Sequence, residues 1–391
     1  MKIIYVIPEN LSPLNSGGRL GIYRELESLL DFGHELLCIM FVKDLSDPIP
    51  NLESKGNKMQ LVVVKQKSFL KSTLSNPFVP FQVSSRRLTN SKLSEILNLA
   101  VDYDLILANH DWTVPVAKRI QTVNRVPIIL RSHNDEFEFL MSLFKNEPRL
   151  TKKFYYFLEA IRYRLVRSNI ERNIKGVISI SKQTHEKYSR RGIVSNYCGP
   201  SFGNYTSKQQ PPLSISKKGN LSIGFLGSLD MAHNVKGLVW FFEKVFPKII
   251  SEIPEANVLI GGRRAPENFT KYVRHLPSTV FLGEIADPAD FYSNIGISIN
   301  PILSGSGVNI KLVDSLKYQV PMVSTTFGIR GFEAISDLIH HSNRPEDVST
   351  ICINLLKDPD LRESTLRSQE LAARLLSNTS ISKSVANMFH T

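Results

Sequence analysis

Cysteine is scarce in this chain: Cys38, Cys198 and Cys352 are the only three among 391 residues. They are odd in number and far apart, which argues against a disulfide framework or a thiolate zinc site. No apolar run reaches the roughly 18 residues that a bilayer crossing needs. The opening MKIIYVIP lacks a small-residue cleavage site, so it reads as a first strand and the expected location is the cytoplasm. Acidic residues are also in short supply, 36 against 48 Lys and Arg, for a net charge of +12. No recognisable nucleic-acid module accompanies that charge, so nucleic acid is not an expected partner.

The length exceeds the size at which one hydrophobic core stops growing, and two domains are expected. Short β-branched runs alternate with longer amphipathic stretches, the pattern of parallel sheets with crossover helices. The spacing predicts strands at 2–7, 35–41, 60–64, 104–108, 127–131 and 176–180, then at 221–226, 256–260, 279–282, 296–300, 322–325 and 338–341. Each half reads as its own open α/β sheet. Residues 205–220, YTSKQQPPLSISKKGN, are rich in Pro, Ser and Lys and read as a linker. The expected division is an amino-terminal domain at 1–204, the linker at 205–220, a second domain at 221–374 and a final helix at 375–391 that could pack back on the first domain. The apolar spacing over 235–253 predicts one core helix. A cleft between the domains is the expected ligand site, beyond the carboxyl ends of the strands.

Between Lys145 and Arg191 the sequence holds thirteen Lys or Arg against four Glu. Within it, 152–167 (KKFYYFLEAIRYRLVR) interleaves aromatic and basic residues at helical spacing, a pattern compatible with an anionic membrane surface. The competing reading is a core helix that buries Phe154, Leu158, Ile161 and Leu165 and solvates its basic back.

The stretch richest in chemistry is 302–317, ILSGSGVNIKLVDSLK, where a glycine-rich loop runs into an amphipathic helix. Gly305 and Gly307 permit close backbone approach, the following N–H groups present partial positive charge, and Lys311 adds a full one. Asp314 shares a face with Lys311, while Leu312, Leu316 and Val320 fall on the face a sheet would cover. A cation for phosphate beside a carboxylate for sugar hydroxyls suggests the nucleotide end of a nucleotide-sugar. A plain turn before a helix is the alternative. Asp102 and Asp104 form an Asp-x-Asp, which here only leads into a strand, so no metal site is expected there.

These residues add up to a family resemblance. GFLGSLDMAHNVKGLVWF, VLIGGR, VFLGEIAD, ISINPILSGSGVNIKLVDSLKYQVPMVSTTFGIRGF and LLKDPDLRESTLRSQELA follow one another as in the carboxy-terminal domain of family-four glycosyltransferases. The amino-terminal half resembles the family through Ser16, Gly17, Gly18 and Arg19 after the first strand, then Gly33–His34, RSHNDE and GVISIS. The resemblance implies an α/β fold of the GT-B type, two Rossmann-like domains facing across a cleft. It implies transfer of a sugar from a nucleotide-diphosphate donor to a hydroxyl of a glycan or lipid-linked acceptor, with retention and without a bound metal or other cofactor. Lys311 and the N–H groups near Gly307 and Val308 would then neutralise the departing diphosphate. Gly227, Gly305, Ser306 and Asn309 join them at the donor, Arg263 is a second cation, Glu284 meets the base, Gly17 and Gly18 approach the phosphates or acceptor, and His133 lies near the reacting sugar. Asp314 would contact ribose. Three departures stand out: Ser306 and Asp314 occupy positions where the family commonly carries two glutamates, Gln319 stands where it prefers glycine, and Asn234 and Lys236 lie where an Arg and Lys pair is usual. A non-catalytic GT-B protein and a nucleotide-sugar epimerase are the other readings weighed.

Overall fold

The computed structural model describes residues 1–13, 17–50, 58–200, 220–304, 308–309, 311–377 and 381–390. The chain forms two compact units, Met1–Gly203 with Thr379–Thr391, and Asn204–Asn378. Apart from Asn220, the expected linker lies outside the described residues.

The first unit is built on seven strands: β1 (Lys2–Ile7), β2 (Glu35–Val42), β3 (Met59–Lys65), β4 (Leu105–Asn109), β5 (Ile128–Ser132), β6 (Gly176–Ser179) and β7 (Ser195–Tyr197). All pair in parallel, in the order β3-β2-β1-β4-β5-β6-β7. Side chains alternate between two cores. Ile4, Val6, Leu37, Ile39 and Phe41 enter one, while Ile3, Tyr5, Leu36, Cys38 and Met40 enter the other. Burial of both faces is why the strands read as unbroken apolar runs. The helix Gly17–Asp31 closes the second core with Ile22, Leu26 and Leu29, and the carboxy-terminal helix Ile381–His390 closes it with Ile381, Val385 and Met388.

The second unit has six parallel strands, β8 (Ser222–Leu226), β9 (Asn257–Gly261), β10 (Thr279–Gly283), β11 (Ile297–Asn300), β12 (Met322–Ser324) and β13 (His340–His341), in the order β10-β9-β8-β11-β12-β13. Strand order reverses on either side of β8, so the loops after β8 and β11 open a crevice at the carboxyl edge. The core helix expected at 235–253 is interrupted. It runs as Ala232–Trp240, a π turn over Phe241–Val245, and Phe246–Glu252. Pro247 explains the break, because its ring and missing N–H disfavour a regular i to i−4 ladder, and the wider turn accommodates it.

A second correction concerns the basic helix, Leu150–Glu171. Phe154, Ile161 and Leu165 are not core residues: they are 61%, 42% and 63% exposed. Glu159, Ala160, Tyr163 and Ile170 face inward instead. Glu159 fixes that rotation, accepting hydrogen bonds from the Phe81 N–H at 2.8 Å and from Arg162 Nη1 at 2.7 Å.

Candidate functional site

At the crevice of the second unit, Lys311 opens the helix Lys311–Lys317, held down by buried Leu312 and Leu316. The helix stops at Gln319, whose φ of 52° is the left-handed conformation that glycine adopts most readily. The Lys311 ammonium donates to Asn234 Oδ1 at 2.9 Å and to Asn309 Oδ1 at 3.4 Å, and lies 5.1 Å from the centre of the Phe225 ring. Asn309 also accepts from the Lys311 N–H at 3.2 Å and donates to Asn300 Oδ1 at 2.9 Å, so one amide fixes both ends of the lysine. Gly227 gives the lysine its room: a Cβ there would come within 2.8 Å of Lys311 Cε. Gly262 allows the loops after β8 and β9 to touch, since a Cβ on it would lie 2.2 Å from the Gly227 carbonyl oxygen.

Arg263 follows β9 and donates from Nε to Ser228 Oγ at 3.1 Å, and Ser228 in turn donates to Asp230 at 2.8 Å. Asn234 is anchored from the same loop, its Nδ2 donating to the Ser228 carbonyl at 2.7 Å. Burial holds the His233 imidazole down to about 4, and the positive charges of Lys311 and Arg330 push in the same direction. This edge therefore gathers Lys311 and Arg330 around a neutral histidine, with Asp314 the carboxylate that acts on Lys311. Burial lowers the Lys311 ammonium to about 8, against the opposing pull of Asp314. Such a cluster is suited to a polyanion that restores the cost of desolvating the lysine.

Several of the sequence-derived residues come together here: Gly227, Arg263, Val308, Asn309, Lys311 and Asp314 all stand on the elements leaving β8, β9 and β11. Gly305, Ser306 and Gly307 lie outside the described residues. Glu284 is exposed and follows β10, two strands from β8, where it borders a shallow depression of about 270 Å³ with Leu282, Ile285, Asp287 and Phe291. Asn234, His233 and Arg330 were not singled out as ligand contacts; their signal was proximity in the fold, which no local spacing encodes.

In the first unit, His133 follows β5 and His110 follows β4, so both stand at the carboxyl edge of that sheet. Their rings stack at 4.3 Å, and His110 stacks on Trp112 at 4.7 Å. His110 holds a φ of 66°, uncommon for a residue with a side chain and concentrated at functional positions. His133 Nε2 is buried with no hydrogen-bond partner among the described residues, 3.8 Å from Glu25 Oε2. Burial, then His110 and Arg131, push His133 well below the usual imidazole range, so it is neutral. Glu136 lies beneath the stack, 3.8 Å from His110 Nδ1, and burial raises its carboxyl to about 7. Asp111 is likewise raised to about 7, chiefly by burial, and accepts hydrogen bonds from the hydroxyls of Tyr163 and Tyr188. At the base, Glu25 pairs with Arg131 at 2.6 Å. Gly17 begins the neighbouring helix, and the space beside Gly18 is open. Asp104 has a structural task, accepting the Lys2 N–H at 2.7 Å.

Residues 220–358, most of the second unit, match the model of the family described as Glycosyl transferases group 1. The second unit is thus similar to group 1 glycosyl transferases over most of its length. Across the whole chain, the crystal structure of Anabaena HepE in complex with UDP and glucose superposes with a TM-score of 0.61 at 13% identity, covering 100% of both chains. The sucrose-phosphate synthase of Thermosynechococcus elongatus superposes with a TM-score of 0.66 at 13% identity, over 100% of this chain and 98% of that one. The fold is thus GT-B, with two Rossmann-like domains. In sequence, the chain is 29% identical over 343 residues to an uncharacterized 44.6 kDa protein in the cps region of Klebsiella pneumoniae, covering 84% of each.

The second unit carries a pH signature. With Lys311 titrating near 8, its charge is present at neutral pH and lost as pH rises through 8. Affinity for a nucleoside diphosphate is expected to fall above that value, and titration calorimetry in buffers of different ionisation enthalpy should record proton uptake on binding near pH 8. The sign for folding is opposite: the lowered lysine favours the folded state as pH rises from 8 towards 10.5. Affinity that is flat between pH 7 and 9 would count against Lys311 as the diphosphate contact.

Proposed function

We propose that the chain transfers a sugar from a nucleoside-diphosphate donor to a hydroxyl of a glycan or lipid-linked acceptor, with retention of configuration and without a metal. The observation that carries this reading is the Lys311 ammonium, fixed by Asn234 and Asn309 at the switch point of a group 1 domain. Cleaving the donor leaves negative charge on the diphosphate, and Lys311 with Arg330 and Arg263 supplies fixed countercharge there. Asp314 takes the ribose hydroxyls. Ser306 stands where a carboxylate could have served as nucleophile, so attack comes from the face that the diphosphate leaves, and the acceptor proton passes to the departing oxygen. We assign the neutral His133, with His110 stacked on it, to hydroxyl recognition at the carboxyl edge of the first unit's sheet.

The complexes of HepE with UDP and glucose and with UDP-glucose support a nucleotide-sugar donor. The relative from a cps region agrees with surface polysaccharide or glycolipid as the product. No helix among the described residues is long and apolar enough to cross a membrane; we place the protein in the cytoplasm, at the inner membrane face.

Incubating the chain with a panel of nucleotide sugars, with chelator present, tests the reading. Slow hydrolysis of one donor with release of its diphosphate is expected. An epimer formed from the donor alone would indicate an epimerase, and absence of both turnover and diphosphate binding would indicate a non-catalytic scaffold.

A further inference from the structure

The helix Leu150–Glu171 turns its apolar stripe away from the core. Leu150, Phe154, Phe157, Ile161 and Leu165 recur at intervals of four, three, four and four residues, which sets them on one face. All five are exposed, from 39% at Phe157 to 81% at Leu150. With about 1.5 Å rise per residue, the stripe runs roughly 22 Å.

A second element extends it. The short helix Phe69–Ser75 and the turn after it expose Phe69, Leu70, Leu74 and Phe78, the last two at 75%. Phe69 joins the two helices, its ring 6.0 Å from Tyr155 and 5.1 Å from Phe81. On the other side, Phe157 meets Phe144 at 5.4 Å, and Lys153 Nζ lies 5.2 Å from the centre of that ring. Soluble proteins rarely leave contiguous apolar surface of this extent to water without a partner.

The charge around the stripe is predominantly positive, with Glu147, which acts on Tyr156 and pairs with Arg149, the acid at its amino end. Residues 66–94 contain no Asp or Glu, and between Leu150 and Ile170 the only acid is Glu159, which faces inward. Lys71, Lys152 and Arg164 stand exposed beside the apolar side chains. A second copy of this face would set like charges against each other, whereas anionic headgroups complement them.

We propose that this two-helix face docks the protein on an anionic lipid bilayer, with the aromatic and aliphatic tips entering the interface and the lysines and arginines meeting the headgroups. Docking of this kind requires no transfer chemistry, so it stands or falls apart from the donor site.

The test uses the full chain with vesicles of phosphatidylcholine containing about one third phosphatidylglycerol, compared with phosphatidylcholine alone. Sedimentation with the anionic vesicles is expected, weakening with added salt. The pair F154S/I161S should lower partitioning by about tenfold or more, since both side chains are solvent-exposed and their loss leaves the core untouched. The pair K152E/R164E should lower it comparably and remove the salt dependence. Both variants should retain nucleoside-diphosphate affinity, which separates loss of docking from loss of the donor site. Equal binding to both vesicle types, or binding that neither pair changes, would overturn the proposal. So would F154S/I161S dissolving a dimer in light scattering while vesicle binding is absent, which would assign the face to a second copy.

Discussion

Lys311→Ala is expected to reduce donor turnover by about two to three orders of magnitude, the effect of deleting one preorganised charge-stabilising donor from a site with little water. Nucleoside-diphosphate affinity should fall with it, and its decline above pH 8 should vanish, because the titrating group is gone. The fold should tolerate the change. The ammonium is held below its normal titration range by burial, so removing it relieves a desolvation cost and leaves Asn234 Oδ1 and Asn309 Oδ1 for water. Lys311→Arg should not rescue. The lysine passes so close to Gly227 that a Cβ there would lie 2.8 Å from Cε, and the planar guanidinium demands a wider channel. Calorimetry with uridine and guanosine diphosphates, alongside donor hydrolysis, reads both effects. Wild-type affinity and turnover in Lys311→Ala would remove the site from consideration.

The second large effect concerns stability. Arg131 is fully buried, donates to Glu25 at 2.6 Å, and caps the strand ends through the carbonyls of Cys198 at 2.8 Å and Gly199 at 3.3 Å. Arg131→Ala strands the Glu25 carboxylate in the interior with Tyr5 and Asn109 as its remaining hydrogen-bond donors among the described residues. Breaking a buried pair from one side costs about 3–5 kcal/mol. For a unit of this size that is a drop of roughly 10 °C in melting temperature. Replacing both partners, as Glu25→Gln with Arg131→Met, should recover much of the loss, since two neutral groups have no unpaired charge between them. Differential scanning calorimetry decides it; a melting temperature within about 2 °C of wild type for Arg131→Ala would mean that the pair carries little of the stability.

These two sites were unequally legible in the sequence. Lys311 stood out because a glycine loop, a basic residue and an amphipathic helix are contiguous, and the twelve strands expected from apolar runs are all present, with ends displaced by at most two residues. Strands buried on both faces write themselves as runs, whereas β7 (Ser195–Tyr197) is polar, three residues long and gave no such signal. Asn234 is 77 positions from Lys311, and an asparagine at that distance has no periodic or compositional mark. His110 was overlooked though it repeats the placement of His133 on the adjacent strand. The basic helix shows a different limit. Periodicity reveals which residues share a face, but not which face turns inward, and that choice was made by Glu159 and its partner Phe81, 78 residues away.

The return of the chain to its starting unit has a consequence for biosynthesis. Ile381, Val385 and Met388 fill the same core as Ile22 and Leu26, so the unit begun first is the last to be completed. During translation the second unit can close while its elder neighbour still waits for a final wedge, with the underside of the β1 and β2 layer left bare until those closing turns emerge.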